Sequence, residues 1–340
     1  MNWRLIENSE DLKETESLWN ELTEERREIA VHSVFPWLYS WWESYLVFPK
    51  VFSGYFKLFV LIIQDEQRDS TGIAPLIVEQ GDERKVIRFL GQGVSDYADF
   101  LVKGDRMSFF RNLVDVLEQI HPTAEVDLQQ FPKHSLNYEP FKAVLDERGY
   151  SVQESIIEKC PYVTINGDWD NYYSSISKKH RYDISRCQRL LSEQGNLVFK
   201  RLNVVDDKHI DVFSHINIQR QHSLSRLSLY ENPFKNDFVR RVTKRLNNLG
   251  MIDAGILFYR DQIISYIYGF HYRQTHYYWN ISFLPEYASY SPGKILIYCM
   301  LIDSFEKGYK KFDFMRGDED YKFVWARDYH LNLNIKFRIL

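Results

Sequence analysis

Residues 290–322 constrain the fold of this chain more than any other segment. They begin Tyr-Ser-Pro-Gly-Lys, and Ser291 suits the N-cap of a helix while Pro292 suits its first position. A mostly apolar stretch follows, and Gly308 comes directly after the last periodic residue, where glycine commonly ends a helix. Strand-like segments precede and follow this helix. The sequence therefore predicts a strand, a tight loop, a helix and a second strand, in that order.

The start of the predicted helix has the features of an anion-binding site. Free backbone N–H groups and the positive end of the helix dipole meet there, and they favour a phosphate or pyrophosphate group. Gly293 permits another backbone or a ligand to come close, and Lys294 adds a positive charge. A plain helix cap is the alternative that this motif leaves open when it is taken alone.

Three strands in meander order precede the helix. They are predicted at residues 252–259, 263–272 and 276–283, and short turns join them. A return strand is predicted at residues 311–315, directly after the helix. A meander that leads into a capped helix and a parallel return strand is much rarer than a capped helix alone, so this order favours the ligand-binding interpretation.

The order of these elements and the closing block resemble one family. The block SPGKILIYCMLIDSFEKGYKKFDFMRGDEDYKFVWA is similar to the closing signature of the CelD-like, FemAB-related branch (BioF-like acetyltransferase domains) of the GNAT superfamily of acyl-CoA-dependent N-acyltransferases. Three stretches match more loosely: WLYSWWESY from Trp37, FLGQGVSDYADFLV from Phe89 and ISKKHRYDISRCQRLLSEQGN from Ile176. The superfamily's usual Gln/Arg-x-x-Gly-x-Gly/Ala loop is missing, so cofactor binding is inferred from the position of the helix start.

The resemblance implies a mixed α+β fold with two tandem GNAT-like domains, each a mostly antiparallel twisted sheet flanked by helices. Residues 1–160 are expected to form a degenerate domain on the acceptor side, and residues 161–340 the domain that binds acyl-CoA. The first half repeats the order of lead-in helices, meander, crossover helix and closing strands, but it lacks a Pro-Gly-Lys helix start. We therefore predict that the first domain binds no cofactor.

The final segment of the chain alternates between apolar and polar side chains. The residues on the apolar side are Leu331, Leu333, Ile335, Phe337 and Ile339. We expect a half-buried strand that completes the sheet of the second domain. On this expectation, Leu333→Asp would unfold the C-terminal domain and Asn332→Asp would barely matter.

Charge and composition argue against several functions. The formal net charge is -4, and Lys and Arg are dispersed apart from one cluster, so a long nucleic acid is not an expected partner. The three cysteines lie far apart and no histidine pair has metal spacing, so neither a disulfide framework nor a metal site is predicted. The absence of a signal peptide and of any apolar run long enough to span a membrane makes the cytoplasm the expected location.

The resemblance implies where the acyl-CoA co-substrate, acetyl-CoA or another short-chain acyl-CoA, would bind. In the GNAT pattern a splay after the fourth strand exposes backbone N–H groups to the thioester carbonyl and the pantetheine, and the following helix start holds the pyrophosphate. The residues that match these positions are Asn280, Ile281, Ser282, Phe283, Ser291, Pro292, Gly293 and Lys294.

Acidic residues and a tyrosine directly after the return strand are the candidates for proton transfer. Asp318 and Glu319 are expected to provide a base for the acceptor amine, and Tyr321 an acid for the leaving thiolate. An acidic helix N-terminus is the alternative interpretation of the two carboxylates. Arg316 and Lys322 are expected either to contact the acceptor or to pair with these acids.

Two further groups of residues are predicted to bind the acceptor. Asp96, Tyr97 and Asp99 follow a glycine-containing loop in the first domain, and carboxylates there suit an ammonium group or sugar hydroxyls. Asx turns are the alternative. Arg181 and Arg186 belong to the one basic cluster, which suits a nucleotide diphosphate, and a solvated helix surface is the alternative for that cluster.

These features predict an acyl-CoA-dependent N-acyltransferase. The resemblance implies surface-polysaccharide synthesis, with a nucleotide-linked amino sugar as the small-molecule acceptor. Its amine is expected to attack the thioester directly in a ternary complex. None of the three cysteines lies in a recognisable nucleophile setting, which agrees with direct transfer. Two alternatives stay open: a FemAB-type aminoacyl transferase that uses charged tRNA to extend peptidoglycan, which the net charge does not favour, and a non-catalytic subunit of exopolysaccharide assembly.

Overall fold

The structure is a computed structural model that describes residues 2–26, 28–64, 71–81 and 84–339. The chain forms two units. The first contains Met1–Lys159 together with His330–Leu340, and the second contains Cys160–Tyr329. Each unit has its own strands and helices, and the mixed α+β fold class predicted from the sequence is confirmed.

The helices and strands follow one another along the chain in a fixed order. They are β1 (Asn2–Ile6), α1 (Ser9–Glu14), α2 (Glu16–Glu25), α3 (Phe35–Val47), β2 (Tyr55–Gln64), β3 (Thr71–Gln80), β4 (Lys85–Phe89), β5 (Leu101–Lys103), α4 (Arg106–Ile120), β6 (Glu125–Pro132), α5 (Tyr138–Glu147), β7 (Gln153–Thr164), α6 (Trp169–Ser175), α7 (Lys178–Ser192), β8 (Leu197–Leu202), α8 (Asp207–His222), α9 (Pro233–Asn248), β9 (Ala254–Tyr259), β10 (Gln262–Tyr272), β11 (Thr275–Phe283), α10 (Pro292–Glu306), β12 (Lys311–Asp313), α11 (Asp320–Phe323) and β13 (Asp328–Arg338).

The sheet of the first unit has the strand order β1-β2-β3-β4-β6-β13, and β5 pairs with β3. β4 and β6 run parallel, and the other neighbouring strands are antiparallel. Helices α4 and α5 cover this sheet with apolar faces. The aromatic centre of the core consists of Phe100, Phe110, Phe131 and Phe141.

The last strand belongs to the first unit, so the expectation that it completes the second sheet is wrong. β13 pairs antiparallel with β6, where Leu333 lies opposite Phe131 and Phe337 lies opposite Val126. Leu333 is fully buried in the core of the first unit. The alternating sequence indicates one buried face, but the partner strand depends on which unpaired edge and apolar surface the folded chain presents.

Asn332 of β13 is also buried, although its position in the alternation predicts an exposed side chain. Its Nδ2 donates hydrogen bonds to the carbonyl oxygen of Asp96 at 2.6 Å and to Oε1 of Gln130 at 2.7 Å. The expectation that Asn332→Asp would barely matter is therefore not supported. A buried amide with two acceptor partners cannot be exchanged for a carboxylate without loss.

The sheet of the second unit has the strand order β7-β12-β11-β10-β9-β8. β11 and β12 are parallel, and the other neighbours are antiparallel. Two-residue turns join β9 to β10 and β10 to β11, and all four turn residues have positive φ values, as type I′ turns require. They are Arg260, Asp261, Arg273 and Gln274. The predicted meander is confirmed.

The central helix of the second unit is α10. It begins at Pro292 and ends at Glu306, and Gly308 follows with φ 70°. The N–H of Gly308 donates to the carbonyl oxygen of Phe305, and the N–H of Tyr309 to that of Ser304, which satisfies the last turn. The predicted helix bounds are confirmed, and β12 follows as the predicted return strand.

Candidate active site

The end of β11 and the start of α10 lie against each other. A Cβ atom at Gly293 would lie 3.2 Å from Cδ1 of Ile281 and 3.5 Å from Cδ1 of Phe283. The absence of a side chain at residue 293 therefore lets the helix start approach the strand closely. The two segments that the sequence analysis assigned to acyl-CoA binding are neighbours in space.

The first turn of α10 has an uncommon backbone conformation. Ser291 is left-handed, with φ 49° and ψ 53°, and its side chain makes no capping hydrogen bond. The N–H groups of Lys294 and Ile295 donate to the carbonyl oxygen of Ser291, and Pro292 has no N–H. Among the described residues, the N–H of Gly293 has no hydrogen-bond partner. The expected side-chain cap is wrong, and Gly293 carries the N–H group that is left for a ligand.

β11 and β12 separate after a short paired stretch. Residues 275–277 of β11 pair with Lys311–Asp313 of β12. Residues 278–283 continue β11 without any described strand on that side. Backbone N–H and C=O groups that point to this side are not used by the sheet, so they can bond to a ligand. The splay implied by the family resemblance is present at the predicted strand end.

A β-bulge interrupts β11 within the splayed stretch. Tyr268 pairs with Asn280 and Gly269 pairs with Tyr278, so Trp279 is an extra residue. The bulge breaks the alternation of side chains along the strand. As a result Trp279 packs toward α9 while the next residue, Asn280, bonds to α8. Both side chains lie beside the backbone groups that the splay exposes.

The side-chain amide of Asn280 is held in one orientation. Its Oδ1 accepts hydrogen bonds from the hydroxyl of Tyr266 at 2.5 Å and from Nδ2 of Asn217 at 3.4 Å. Asn217 is held in turn, because the hydroxyl of Ser228 donates to its Oδ1 at 2.7 Å. In the part of the chain that the structure describes, Nδ2 of Asn280 has no partner. Its N–H groups are therefore available to a ligand.

Two tyrosine hydroxyls meet beside the same strand end. The Oη atoms of Tyr278 and Tyr321 lie 3.2 Å apart. Burial raises the pKa of Tyr321 to about 12 and raises the pKa of Tyr278 well above its ordinary value. Both hydroxyls are protonated at neutral pH. Tyr321 is 39% exposed, so a ligand can reach it from solvent.

Lys322 holds together the loop that precedes Tyr321. Its Nζ donates to the carbonyl oxygens of Arg316 at 2.5 Å and Gly317 at 3.5 Å, and it lies 3.0 Å from Oε2 of Glu319. The side chain is buried. Lys322 therefore pairs with an acidic residue of its own loop, which is the alternative given in the sequence analysis, because its ammonium group bonds within the loop and not toward solvent.

The two candidate carboxylates lie on the exposed surface of this loop. Asp318 and Glu319 are both exposed, and the side chain of Glu319 does not cap α11. Arg316 is half-buried nearby, and burial together with the charge of Arg316 lowers the pKa of Lys235 on α9. Two cations, Lys235 and Arg316, therefore lie near each other beside the carboxyl ends of the parallel strands.

The basic helix α7 reaches the start of α10. Burial and the positive charge of Lys294 lower the pKa of His180 to about 4, so His180 is neutral at pH 7. Nε of Arg181 donates to a carbonyl oxygen of the preceding turn at 3.1 Å, and Nη2 of Arg186 lies 3.8 Å from Sγ of Cys187. The first turn of the basic cluster is thus on the same side as the α10 start.

The residues of the candidate site lie in a segment that matches the model of one protein family. Residues 178–323 match the model of the acetyltransferase (GNAT) domain, and this range includes the splay, the start of α10 and the Tyr321 loop. This region is similar to GNAT acetyltransferase domains. The protein is accordingly an acyltransferase, and its GNAT fold implies an acyl-CoA co-substrate. No curated protein matches the sequence.

Several solved structures share the fold over both units. FemX has a TM-score of 0.64 at 11% identity, with 100% of this chain and 98% of that chain covered. A tandem GNAT protein from the clavulanic acid biosynthesis pathway has a TM-score of 0.51 at 11% identity, with 99% and 98% covered. The C-terminal domain of a putative lysylphosphatidylglycerol synthetase from Agrobacterium fabrum has a TM-score of 0.53 at 9% identity, with 96% of this chain and 92% of that chain covered. At these identities the likeness shows the fold, which is a tandem GNAT-like fold.

The three residues predicted on the acceptor side of the first unit are buried. Asp96, Tyr97 and Asp99 have little exposed surface, so the expectation of carboxylates at an open rim is wrong. Asp99 accepts hydrogen bonds from Ser135 at 2.6 Å and from Asn137 at 2.7 Å, and burial raises its pKa. Asp99 is a structural centre of the first unit, and the sequence could not reveal this because its partners lie far along the chain.

The GNAT domain also contains site residues that the sequence analysis missed. They are Asn217, Ser228, Lys235, Tyr266, Tyr278 and Trp279. Trp279 was hidden because a bulge has no signature in a single sequence. Tyr278 is the residue that the sequence could have indicated, since it lies two residues before Asn280 in a strand that was already predicted to bind the cofactor.

Three further observations concern the described residues as a whole. Within the described ranges, none of the helices combines the length and apolar character needed to cross a membrane. The same ranges hold no group of three or more His, Cys, Asp or Glu side chains arranged to bind a metal ion. In the described part of the chain, Cys160, Cys187 and Cys299 form no disulfide bond.

Proposed function

We propose that this protein transfers an acyl group from acyl-CoA to the amine of a nucleotide-linked amino sugar, in the synthesis of a surface polysaccharide. The observation that carries the proposal is the convergence of the splayed end of β11 on the N–H of Gly293 and on Lys294. Such a convergence suits a ligand that is an extended amide chain ending in a diphosphate. The lack of disulfide bonds among the described cysteines and an acyl-CoA donor are consistent with reaction in the cytoplasm.

The residues at this position fit acyl-CoA. The backbone of residues 278–283 would pair with the amide groups of the pantetheine, and the N–H of Gly293 and the ammonium group of Lys294 would bind the diphosphate. Arg181, near the same helix start, would supply a further cation for a phosphate of the cofactor. When bound, acyl-CoA supplies an acyl group activated as a thioester.

Asn280 and Tyr321 would orient and stabilise the reacting groups. The fixed Nδ2 of Asn280 would donate to the thioester carbonyl oxygen, where negative charge develops. Tyr321 has a pKa of about 12, and an ordinary thiol has about 8.5. Full proton transfer from Tyr321 to the leaving sulfur is therefore uphill, and its role would be to donate a hydrogen bond to that sulfur.

Glu319 is the side chain best placed to take the proton of the acceptor ammonium group. It is exposed, and Lys322 holds its carboxylate 3.0 Å from Nζ. Transfer through a water molecule suits this exposure. Asp318 is exposed on the same loop and would attract the cationic amine to it.

The acceptor would bind on the α9 side of the strand end. Trp279 offers an aromatic face on which a sugar or base stacks, and Lys235 and Arg316 offer two cations for a nucleotide phosphate. This arrangement replaces the buried first-unit carboxylates as the recognition site for the acceptor.

Isothermal titration with acetyl-CoA tests the donor. We expect binding by the wild type, weaker binding by Lys294→Ala and unchanged binding by Lys244→Ala, an exposed lysine on α9 that serves as a charge-matched control. Release of free CoA thiol is then measured with amino sugars, with their nucleotide-linked forms and with N-acetylated forms that lack the free amine. If acetyl-CoA does not bind, or if acetylated acceptors release thiol equally well, the proposal fails.

An aminoacyl transferase is the second candidate function, because the likeness to FemX covers both units. It differs from the first candidate in its donor. Charged tRNA in place of acetyl-CoA, titrated under the same conditions, separates the two: the second candidate requires salt-sensitive tRNA binding and no acetyl-CoA binding.

A further inference from the structure

A group of exposed apolar side chains in the first unit spans the end of α3, the connection that follows it and the start of β2. Leu46, Val47 and Tyr55 are 51%, 53% and 59% exposed, and Val51 is exposed as well. These are four of the fifteen large apolar side chains that are exposed in the described residues, and they fall within ten consecutive positions. Scattered exposed apolar residues are ordinary, but a concentration of this kind marks an interaction surface.

Aromatic packing supports the inner side of residues 46–57. The ring of Phe52 lies 5.7 Å from that of Tyr45, 5.9 Å from that of Trp41 and 5.2 Å from that of Phe56. The hydroxyl of Tyr45 accepts a hydrogen bond from the N–H of Phe56 at 2.7 Å. The inner face of the segment is thus part of a buried aromatic cluster. The packing of that cluster leaves the outer side chains of the segment exposed to solvent.

The charged side chains of residues 46–57 have one sign. Residues 46–57 contain Lys50 and Lys57, both exposed, and no acidic residue. The carboxylate of Glu79 lies beside Gly54, but it is bonded to Nε of Arg88 at 2.7 Å and is neutralised there. Glu43 of α3 is half-buried. The surface therefore combines aliphatic and aromatic side chains with net positive charge.

We propose that residues 46–57 dock this protein onto an anionic lipid surface. Lysine is depleted from protein–protein interfaces, so the two exposed lysines among apolar side chains do not suit a protein partner. The same combination suits the bilayer interface, where apolar and aromatic side chains enter the headgroup region and lysines remain at its surface beside anionic lipids. This docking is peripheral and independent of the acyl-transfer chemistry of the second unit.

Vesicle co-sedimentation of the full chain tests the proposal. We expect the wild type to pellet with mixed phosphatidylcholine and phosphatidylglycerol vesicles, and much less with pure phosphatidylcholine vesicles or at high salt. The double variant Leu46→Ser/Val47→Ser should bind roughly ten-fold more weakly or worse, because it removes two apolar contacts. Lys50→Glu/Lys57→Glu should abolish the preference for anionic vesicles.

The matched control is Ile156→Ser, which removes an equally exposed aliphatic side chain elsewhere in the first unit. It should bind vesicles as the wild type does. All variants should retain acetyl-CoA binding, which reports on the second unit alone and separates this proposal from the proposed function. The idea is overturned if the wild type ignores anionic vesicles, if the control loses binding equally, or if Leu46→Ser/Val47→Ser abolishes self-association in sedimentation while vesicle binding is absent.

Discussion

The hydroxyl groups of Tyr278 on β11 and Tyr321 on α11 lie 3.2 Å apart at the splayed end of the sheet. This contact connects the splayed end of β11 with the loop that carries Glu319. It also fixes the position of the Tyr321 hydroxyl, because its neighbour Tyr278 is buried within the sheet.

The first prediction concerns Tyr321→Phe. We expect kcat to fall roughly 10- to 100-fold, the loss that one hydrogen bond to a charged group produces. The KM for acyl-CoA should change little, since the proposed diphosphate contacts, the N–H of Gly293 and Lys294, do not involve Tyr321. Steady-state assays of thiol release measure both constants. Tyr182→Phe, an exposed tyrosine on α7, is the control, and an unchanged kcat for Tyr321→Phe would remove Tyr321 from the reaction.

The second prediction concerns alkaline pH. Burial raises the pKa values of Tyr266, Tyr268 and Tyr277 above that of a free tyrosine, near 10. A raised folded-state pKa adds stability that is fully present below pH of about 10 and is lost as pH rises beyond it, because the unfolded tyrosines ionise first. Urea unfolding across this pH range should therefore show falling stability. Tyr266→Phe should show a smaller fall than the wild type, and an equal fall would contradict the assignment.

The third prediction concerns Gly293→Val. Its side chain would press on Ile281 and Phe283, and we expect the free energy of unfolding to drop by about 1–3 kcal/mol from overpacking. Acetyl-CoA should bind roughly ten-fold more weakly or worse as the helix start moves from the strand. Gly293→Ala is the matched control, since one methyl group needs a shift of only a few tenths of an ångström. Calorimetric titration and urea unfolding give the two quantities, and unaltered acetyl-CoA affinity in Gly293→Val would contradict the site.

The fourth prediction concerns Asn332→Asp. The introduced carboxylate would face the carbonyl oxygen of Asp96 and Oε1 of Gln130, so we expect a loss of about 3–5 kcal/mol, typical of an uncompensated buried charge. The deficit should shrink at acidic pH, because burial raises the pKa of that carboxyl and its protonated form can donate. Asn203→Asp, at an exposed position, should be nearly neutral. Chemical unfolding at neutral and acidic pH measures the difference, and equal stabilities for the two variants would show that the Asn332 contacts are unimportant.

Local rules were sufficient for the elements that form the candidate site. The Pro-Gly helix start, the glycine stop at Gly308 and the two-residue turns at Arg260 and Arg273 depend on backbone preferences of neighbouring residues, so one sequence reveals them. The same rules were insufficient for Ser291. Its residue type suits a side-chain cap, but its backbone is left-handed and the cap is not formed.

The sequence by itself determined the meander, the central helix and the return strand, because each rests on short-range periodicity and turn chemistry. Only the tertiary structure decided that β13 joins the first unit, that Asp99 and Asn332 are buried partners, and that a bulge places Trp279 and Asn280 at the site. The physical reason is that burial and hydrogen bonding of these residues depend on partners many positions away, and an alternating or polar segment is compatible with several such partners until the chain has folded.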